Sequence, residues 1–210
     1  MIELLHIDCM EYMANCKDKQ FDLAIVDPPY GIEQFAHLAN SKNKATKRGN
    51  YGKPEWDIKI PNQLYFDELK RISKEQIVWG NNYFGLKGGA IVWDKNGSWF
   101  SDGEIAYCSL ITGVRFFRYT WNGMLQENMK DKEERIHPTQ KPVQLYKWLL
   151  KNYAKPDMKI IDTHLGSGSS AIAAYDFGCD FAGCEIDKEY YEGACKRFNT
   201  HKLQQTINFK

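Results

Sequence analysis

Four consecutive residues, Asp27-Pro28-Pro29-Tyr30, combine parts suited to one kind of chemistry. Asp27 offers a carboxylate acceptor. Pro28 and Pro29 stiffen the backbone and leave carbonyl oxygens that no local amide claims. Tyr30 adds a flat aromatic face. Together they could hold an exocyclic amino group by two acceptors while its ring stacks on the tyrosine. The plainer alternative is a loop after a strand, with Tyr30 half buried. A second constellation lies far along the chain. Ile160-Ile161-Asp162 reads as a strand that runs through Thr163-His164-Leu165 into Gly166-Ser167-Gly168-Ser169-Ser170 and then a helix. Glycines there let a ligand approach the backbone, outside the carboxyl end of a parallel strand and beside a helix N-terminus. The dipole of that helix favours an anion, a carboxylate as well as a phosphate. Glu185, 23 residues after Asp162, ends the next strand, where a carboxylate can accept hydrogen bonds from both hydroxyls of a ribose. The Gly-x-Gly-x-x-Gly fingerprint of a dinucleotide site is missing, as is the Gly-Lys-Ser/Thr of a phosphate-cradling loop. That counts against a nicotinamide-dependent oxidoreductase. His164 reads either as a ligand contact or as a polar residue that shapes the turn.

The elements that position these residues alternate between strand and helix, which predicts an α/β fold with a mainly parallel, doubly wound sheet. Strands are expected at Ile2–Ile7, Phe21–Val26, Gln76–Trp79, Ala90–Trp93, Glu104–Leu110, Val114–Tyr119, Lys159–Asp162 and Asp180–Glu185. Helices are expected at 9–16, Asn62–Ser73, Pro142–Tyr153, 169–177 and from the cap Asp187 to about Asn199. Tyr65, Phe66, Leu69 and Ile72 fall on one helix face, as do Val143, Tyr146, Leu149, Leu150 and Tyr153. Pro142 suits a first helical turn, and Gly178 suits a left-handed helix end. Residues 32–61 carry no period and read as an exposed loop. Its stretch from Ser41 to Lys53 holds Lys42, Lys44, Lys47, Arg48 and Lys53 without an acid. Residues 120–137 read as polar and irregular.

The 210 residues suit one domain over 1–210. Its net charge of +1, from 28 basic and 27 acidic residues, predicts neither nucleic-acid binding nor its absence, so any basic patch must be local. Neither a membrane-spanning apolar run nor a signal peptide is present, so the expectation is a cytosolic protein. The six cysteines form no Cys-x-x-Cys pair and no zinc spacing; they are expected reduced and partly buried, with no metal.

On these motifs the chain resembles the amino-methylating DNA methyltransferases that use S-adenosylmethionine. Asp27-Pro28-Pro29-Tyr30 matches their catalytic motif in the form commonest among adenine enzymes. The turn from Asp162 to Ser169, with His164, Gly166, Ser167 and Gly168, matches their methionine-side cofactor motif. Glu185, followed by Ile186, matches their ribose-binding acid. His137-Pro138-Thr139-Gln140-Lys141-Pro142 matches the segment that precedes the glycine turn, placing His137, Thr139, Gln140 and Lys141 at the cofactor. Leu5-His6-Ile7-Asp8-Cys9 resembles the strand whose acid, here Asp8 with Cys9 beside it, contacts the cofactor adenine. Asp27 would also border the cofactor. The catalytic motif precedes the cofactor motif, the permuted order of the β class. The resemblance implies a Rossmann-like class I methyltransferase fold in circularly permuted order. Thr163-His164 departs from the Pro-Phe or similar apolar pair that many members carry. Residues 120–136 are too few for the separate recognition domain that members often insert.

The implied reaction is methylation of the 6-amino group of adenine in double-stranded DNA, with the target base flipped out of the helix. Lys42, Lys44, Lys47, Arg48 and Lys53 are then candidates for phosphate contacts, or simply a solvated surface. Trp56 would stack or wedge against DNA, or merely pack. The 4-amino group of cytosine is the alternative target, and a non-catalytic cofactor-binding subunit of a modification complex the alternative role. A homodimer, or a partner restriction or recognition subunit, is compatible with so small a chain.

Overall fold

The computed structural model describes residues 1–31, 60–97, 101–122 and 125–208. Lys42, Lys44, Lys47, Arg48, Lys53 and Trp56, with most of the predicted basic loop, lie outside the described residues.

Eight strands form one sheet. They are β1 (Ile2–His6), β2 (Phe21–Val26), β3 (Ser73–Trp79), β4 (Gly89–Asp94), β5 (Gly103–Cys108), β6 (Val114–Arg118), β9 (Lys159–Asp162) and β10 (Asp180–Glu185), in the order β1-β10-β9-β2-β3-β5-β4-β6. Every neighbouring pair is parallel except those of β5, which runs against both β3 and β4. The predicted mainly parallel α/β sheet is thus observed. Its central strands read as near-continuous apolar runs because both faces are covered. In β2, Leu23 and Ile25 point to one face while Ala24 and Val26 point to the other.

Helices α1 (Cys9–Ala14) and α2 (Gln63–Ile72) cover one face through Met13, Tyr65, Phe66, Leu69 and Ile72. Helices α4 (Val143–Tyr153), α5 (Ser169–Phe177) and α6 (Lys188–Asn208) cover the other through Leu145, Leu149, Leu150, Ile172 and Phe198. The Asn62 side chain accepts the Tyr65 amide and starts α2 where the predicted apolar stripe begins. Gly178, at φ +85°, ends α5 as the sequence suggests. Asp187 caps α6 by accepting the amides of Glu189 and Tyr190.

Several boundaries differ from the sequence reading, and one short helix was not expected. Pro142 caps α4 from outside, in extended conformation, instead of occupying its first turn. Ser73 belongs to β3 and not to the preceding helix, and the strand begins three residues before the expected Gln76, since pairing with β2 extends it. Helix α6 continues to Asn208, past the expected end near Asn199. A four-residue helix, α3 (Asn81–Phe84), stands between Gly80 and Gly85, both left-handed. Within the segment expected to be irregular, β7 (Trp121–Asn122) pairs antiparallel with β8 (Leu125–Gln126), each strand too short to leave a period in the sequence. Buried Trp121 donates its indole N–H to the Gln140 carbonyl at 3.0 Å, tying this hairpin to the segment before α4. All six cysteines are free thiols, and four of them are buried.

Candidate active site

The strand order reverses between β9 and β2, the place where open α/β sheets form a crevice outside their carboxyl ends. Asp27 follows the last residue of β2, and the prolines behind it cannot continue the ladder. The Asp27 carboxylate accepts the Tyr30 hydroxyl at Oδ1 and the Lys141 ammonium at Oδ2, the latter at 2.5 Å. Lys141 is buried, and its Nζ lies 2.9 Å from Glu104 Oε2 and 3.1 Å from the Tyr30 hydroxyl. Burial pushes Asp27 above the usual carboxylate range, with the Glu104 charge adding to it and Lys141 opposing. Burial also acts upward on Glu104, but Lys141 and Lys95 outweigh it and hold Glu104 down at about 2. Burial and the Asp27 charge raise the Tyr30 phenol, so it stays protonated and donates.

Tyr30 stacks on Tyr83 of α3, with ring centroids 5.0 Å apart and planes at 16°. One face of the predicted stacking platform is therefore covered by a second tyrosine. Gly80 supplies the room: a Cβ added there would stand 2.2 Å from the Tyr30 ring, and its φ is +82°. Gly80→Ala is expected to cost roughly 1–3 kcal/mol through backbone strain and collision with Tyr30. Urea unfolding measures it, and an unmoved midpoint would show that Tyr30 does not rest on this backbone.

A cavity of about 230 Å³ opens at the carboxyl ends of β1, β2, β9 and β10. The sequence-predicted residues Asp8, Cys9, Asp27, Pro29, His137, Thr139, Gln140, Lys141, His164, Gly166, Ser167, Ser169, Glu185 and Ile186 line it. Asp162 and Gly168 stand behind the wall. The Asp162 carboxylate accepts the His164 amide at 3.0 Å and the Ser170 hydroxyl at 2.6 Å, bracing the turn, and burial pushes it up to about 7. Gly168 faces Ala194 of α6, where an added Cβ would come within 3.2 Å. Its lack of a side chain serves helix packing.

Glu185 Oε2 accepts the Gly166 amide at 2.8 Å and Oε1 the Asp187 amide at 2.9 Å. Each oxygen keeps a second lone pair for a ligand. His164 Nδ1 lies 2.9 Å from the Thr163 hydroxyl, which meets the Tyr65 hydroxyl at 2.7 Å. His164 therefore both lines the cavity and shapes the turn. Burial lowers His164 and His137 to about 4, so both rings are neutral near pH 7. The Asp8 carboxylate caps α1 through the Met10 and Glu11 amides. A larger open depression, about 780 Å³, lies beside β6 at the sheet edge and contains no residue that the sequence singled out for chemistry.

Sequence reasoning missed Tyr146 and Cys184, which also line the cavity, and two charged side chains that reach the site. Glu104 follows the first residue of β5, on the same face as buried Ala106 and Cys108, and an acid in register with apolar neighbours was the available signal. Arg197 of α6 reaches the glycine turn, donating to the Ser167 carbonyl at 3.0 Å and the Ser169 hydroxyl at 2.8 Å, and it pairs with Glu133 at 2.5 Å.

The sheet order and the crevice at its reversal define a Rossmann-like class I methyltransferase architecture. A DNA methylase family model of the amino-methylating N6/N4 type matches residues 68–196. The type II methyltransferase M2.LlaDCHI of Lactococcus lactis subsp. cremoris is 34% identical over 242 residues, covering 93% of this chain and 88% of that protein. The type II methyltransferase M.HinfI of Haemophilus influenzae is 23% identical over 251 residues, covering 95% of this chain and 68% of that protein. Among solved structures, the M1.HpyAVI complex with S-adenosylmethionine superposes with a TM-score of 0.58 at 20% identity, covering 94% of this chain and all of that one. The cytosine-N4-specific PvuII DNA methyltransferase superposes with a TM-score of 0.62 at 12% identity, covering 94% of this chain and 86% of that one. The chain belongs to the N6/N4-type DNA methylase family, whose methyl donor is S-adenosylmethionine. The cavity suits that donor: it offers the Glu185 acceptors to a diol, and at Gly166 a Cβ would fill space in front of the His137 ring, 3.8 Å away. No described helix is long and apolar enough to cross a membrane.

Proposed function

We propose that this chain methylates the 6-amino group of adenine at specific sites in DNA, with Asp27-Pro28-Pro29-Tyr30 receiving the amine. The observation that carries this reading is one shared cavity whose wall includes Asp27, the glycine turn at Gly166 and Ser167, and Glu185. When bound, S-adenosylmethionine supplies an electrophilic methyl group whose bonding pair departs with the sulfur. Glu185 would hold its ribose, Asp8 and Ile186 would border its adenine, and Gly166, Ser167 and Ser169 its methionine end.

The chain's own residues then have a positioning and electrostatic task. The amine lone pair is delocalised into the ring, so the nitrogen is a weak nucleophile. Asp27 and the Pro28 carbonyl accept its two hydrogens and favour a pyramidal nitrogen. As the N–C bond forms, positive charge grows on that nitrogen, and the Asp27 carboxylate is placed to stabilise it and take the proton. A base inside a duplex cannot reach the cavity, so it must be flipped out at a cost of a few kcal/mol; stacking on Tyr30 offsets about 1–3 kcal/mol of this. Tyr83 would move aside or extend the stack. Lys42, Lys44, Lys47, Arg48, Lys53 and Trp56 are the proposed DNA contacts.

The direct test incubates the protein with labelled S-adenosylmethionine and genomic DNA, then separates the nucleosides by mass. N6-methyladenine is the expected product. N4-methylcytosine would move the target to the other amine, and donor binding without any DNA product would leave a non-catalytic subunit. Glu185→Ala is expected to weaken donor binding by roughly 1–3 kcal/mol, read by calorimetry. An unchanged affinity would place the ribose elsewhere.

A further inference from the structure

We propose that Glu104 is a positioning residue for methyl transfer: by sharing the Lys141 ammonium with Asp27, it leaves Asp27 as the proton-accepting carboxylate of the pair. This rests on the proposed role of Asp27 as receiver of the target amine.

The geometry is a line of alternating charges. The Asp27 carboxylate meets Lys141 Nζ at 2.5 Å, Lys141 meets Glu104 at 2.9 Å, and the other Glu104 oxygen accepts the Lys95 ammonium at 2.6 Å. Lys141 is 2% exposed, so water does little to screen it. Were Lys141 paired with Asp27 alone, that carboxylate would be neutralised and have little charge left for a substrate amine. Glu104 divides the ammonium's field, and Lys95 in turn balances Glu104. The other titratable groups facing Asp27 are Tyr30, Tyr65, Tyr146 and Asp162. Three of these are phenols held protonated by burial, and the Asp27 charge adds to the burial that raises Asp162. Glu104, held by two ammoniums, stays ionised below the range in which Asp27 titrates. The proton released when the nitrogen is methylated therefore moves to Asp27 and not to Glu104.

Removing each charge gives opposite results. In Glu104→Gln, Asp27 loses a like charge and keeps Lys141 to itself, so its titration midpoint falls. In Lys141→Met, Asp27 loses its cation, and the midpoint rises. The experiment titrates the protein labelled with 13C at aspartate carboxyls, the Asp27 signal being assigned with Asp27→Asn. In parallel, the kcat–pH profile is measured with DNA. The expected result is opposite displacement of the Asp27 midpoint in the two variants. The acid limb of kcat should follow in the same two directions. Glu104→Gln should lower kcat about tenfold, with donor affinity kept within about twofold, and Glu104→Asp should recover much of the rate. Lys95→Gln serves beside Glu104→Gln as a variant that keeps the buried carboxylate: freeing Glu104 from Lys95 draws Lys141 away and raises the Asp27 midpoint. Midpoints that stay fixed, or that move together in Glu104→Gln and Lys141→Met, overturn the proposal. Opposite midpoints in a protein that methylates no DNA would instead uphold the charge arrangement and sink the proposed reaction.

Discussion

Replacing Asp27 with alanine is expected to lower methyl transfer by about 10³-fold or more while the affinity for S-adenosylmethionine changes little. Asp27 stands at the mouth of β2, and Tyr30 and Lys141 fix both of its oxygens. A substrate amine finds an oriented acceptor there before reaction begins. The alanine variant removes that acceptor and leaves Lys141 with Glu104, whose other oxygen is held by Lys95. The glycine turn follows β9 and Glu185 ends β10, so neither is disturbed. Single-turnover methylation, with calorimetry of donor binding, separates the two quantities. Retention of more than a tenth of the wild-type rate would take Asp27 out of the chemistry.

The second large effect is on folding. Arg197 and Glu133 are 15% and 17% exposed and pair at 2.5 Å. Glu133 also accepts the Val143 amide at 3.0 Å, so one carboxylate joins the segment after β8, the start of α4 and helix α6. Arg197→Met leaves that carboxylate buried without its cation, which typically costs about 3–5 kcal/mol. The double variant Arg197→Met, Glu133→Gln should regain a large part of the loss, since no lone charge is then buried. Urea denaturation of the two variants measures this; a single-variant cost under about 1 kcal/mol would mean the pair is well solvated. Donor affinity should fall in both variants, because Arg197 also holds the carbonyl of Ser167 and the hydroxyl of Ser169.

The sequence made the cavity legible from two sides. A strand stopped by two prolines and a strand ended by a glycine turn each leave a local mark, and both turns stand where the parallel sheet opens. Side-chain partners across the sheet leave no such mark. Lys141 was legible as a member of a motif, but its attachment to Asp27, 114 residues earlier, required the fold. Glu104 carried only the weak signal of an acid among apolar neighbours. Arg197 fell in a stretch of helix with no apolar period to orient it, and its partner Glu133 lay in a segment that read as irregular. Two-residue strands such as β7 and β8 are held by Trp121 and Gln126 contacts, which no local pattern announces.

The backward course of β5 has one more consequence. Asp94, the last residue of β4, pairs with Gly103, the first of β5, at the end of the sheet where β2 delivers Asp27, so Lys95 and Glu104 arrive together on that side. Had β5 run parallel to β4, Glu104 would start at the opposite edge of the sheet, away from Lys141. One reversed strand thus carries a carboxylate at its amino end to the side where the cavity opens, a placement that an all-parallel topology denies.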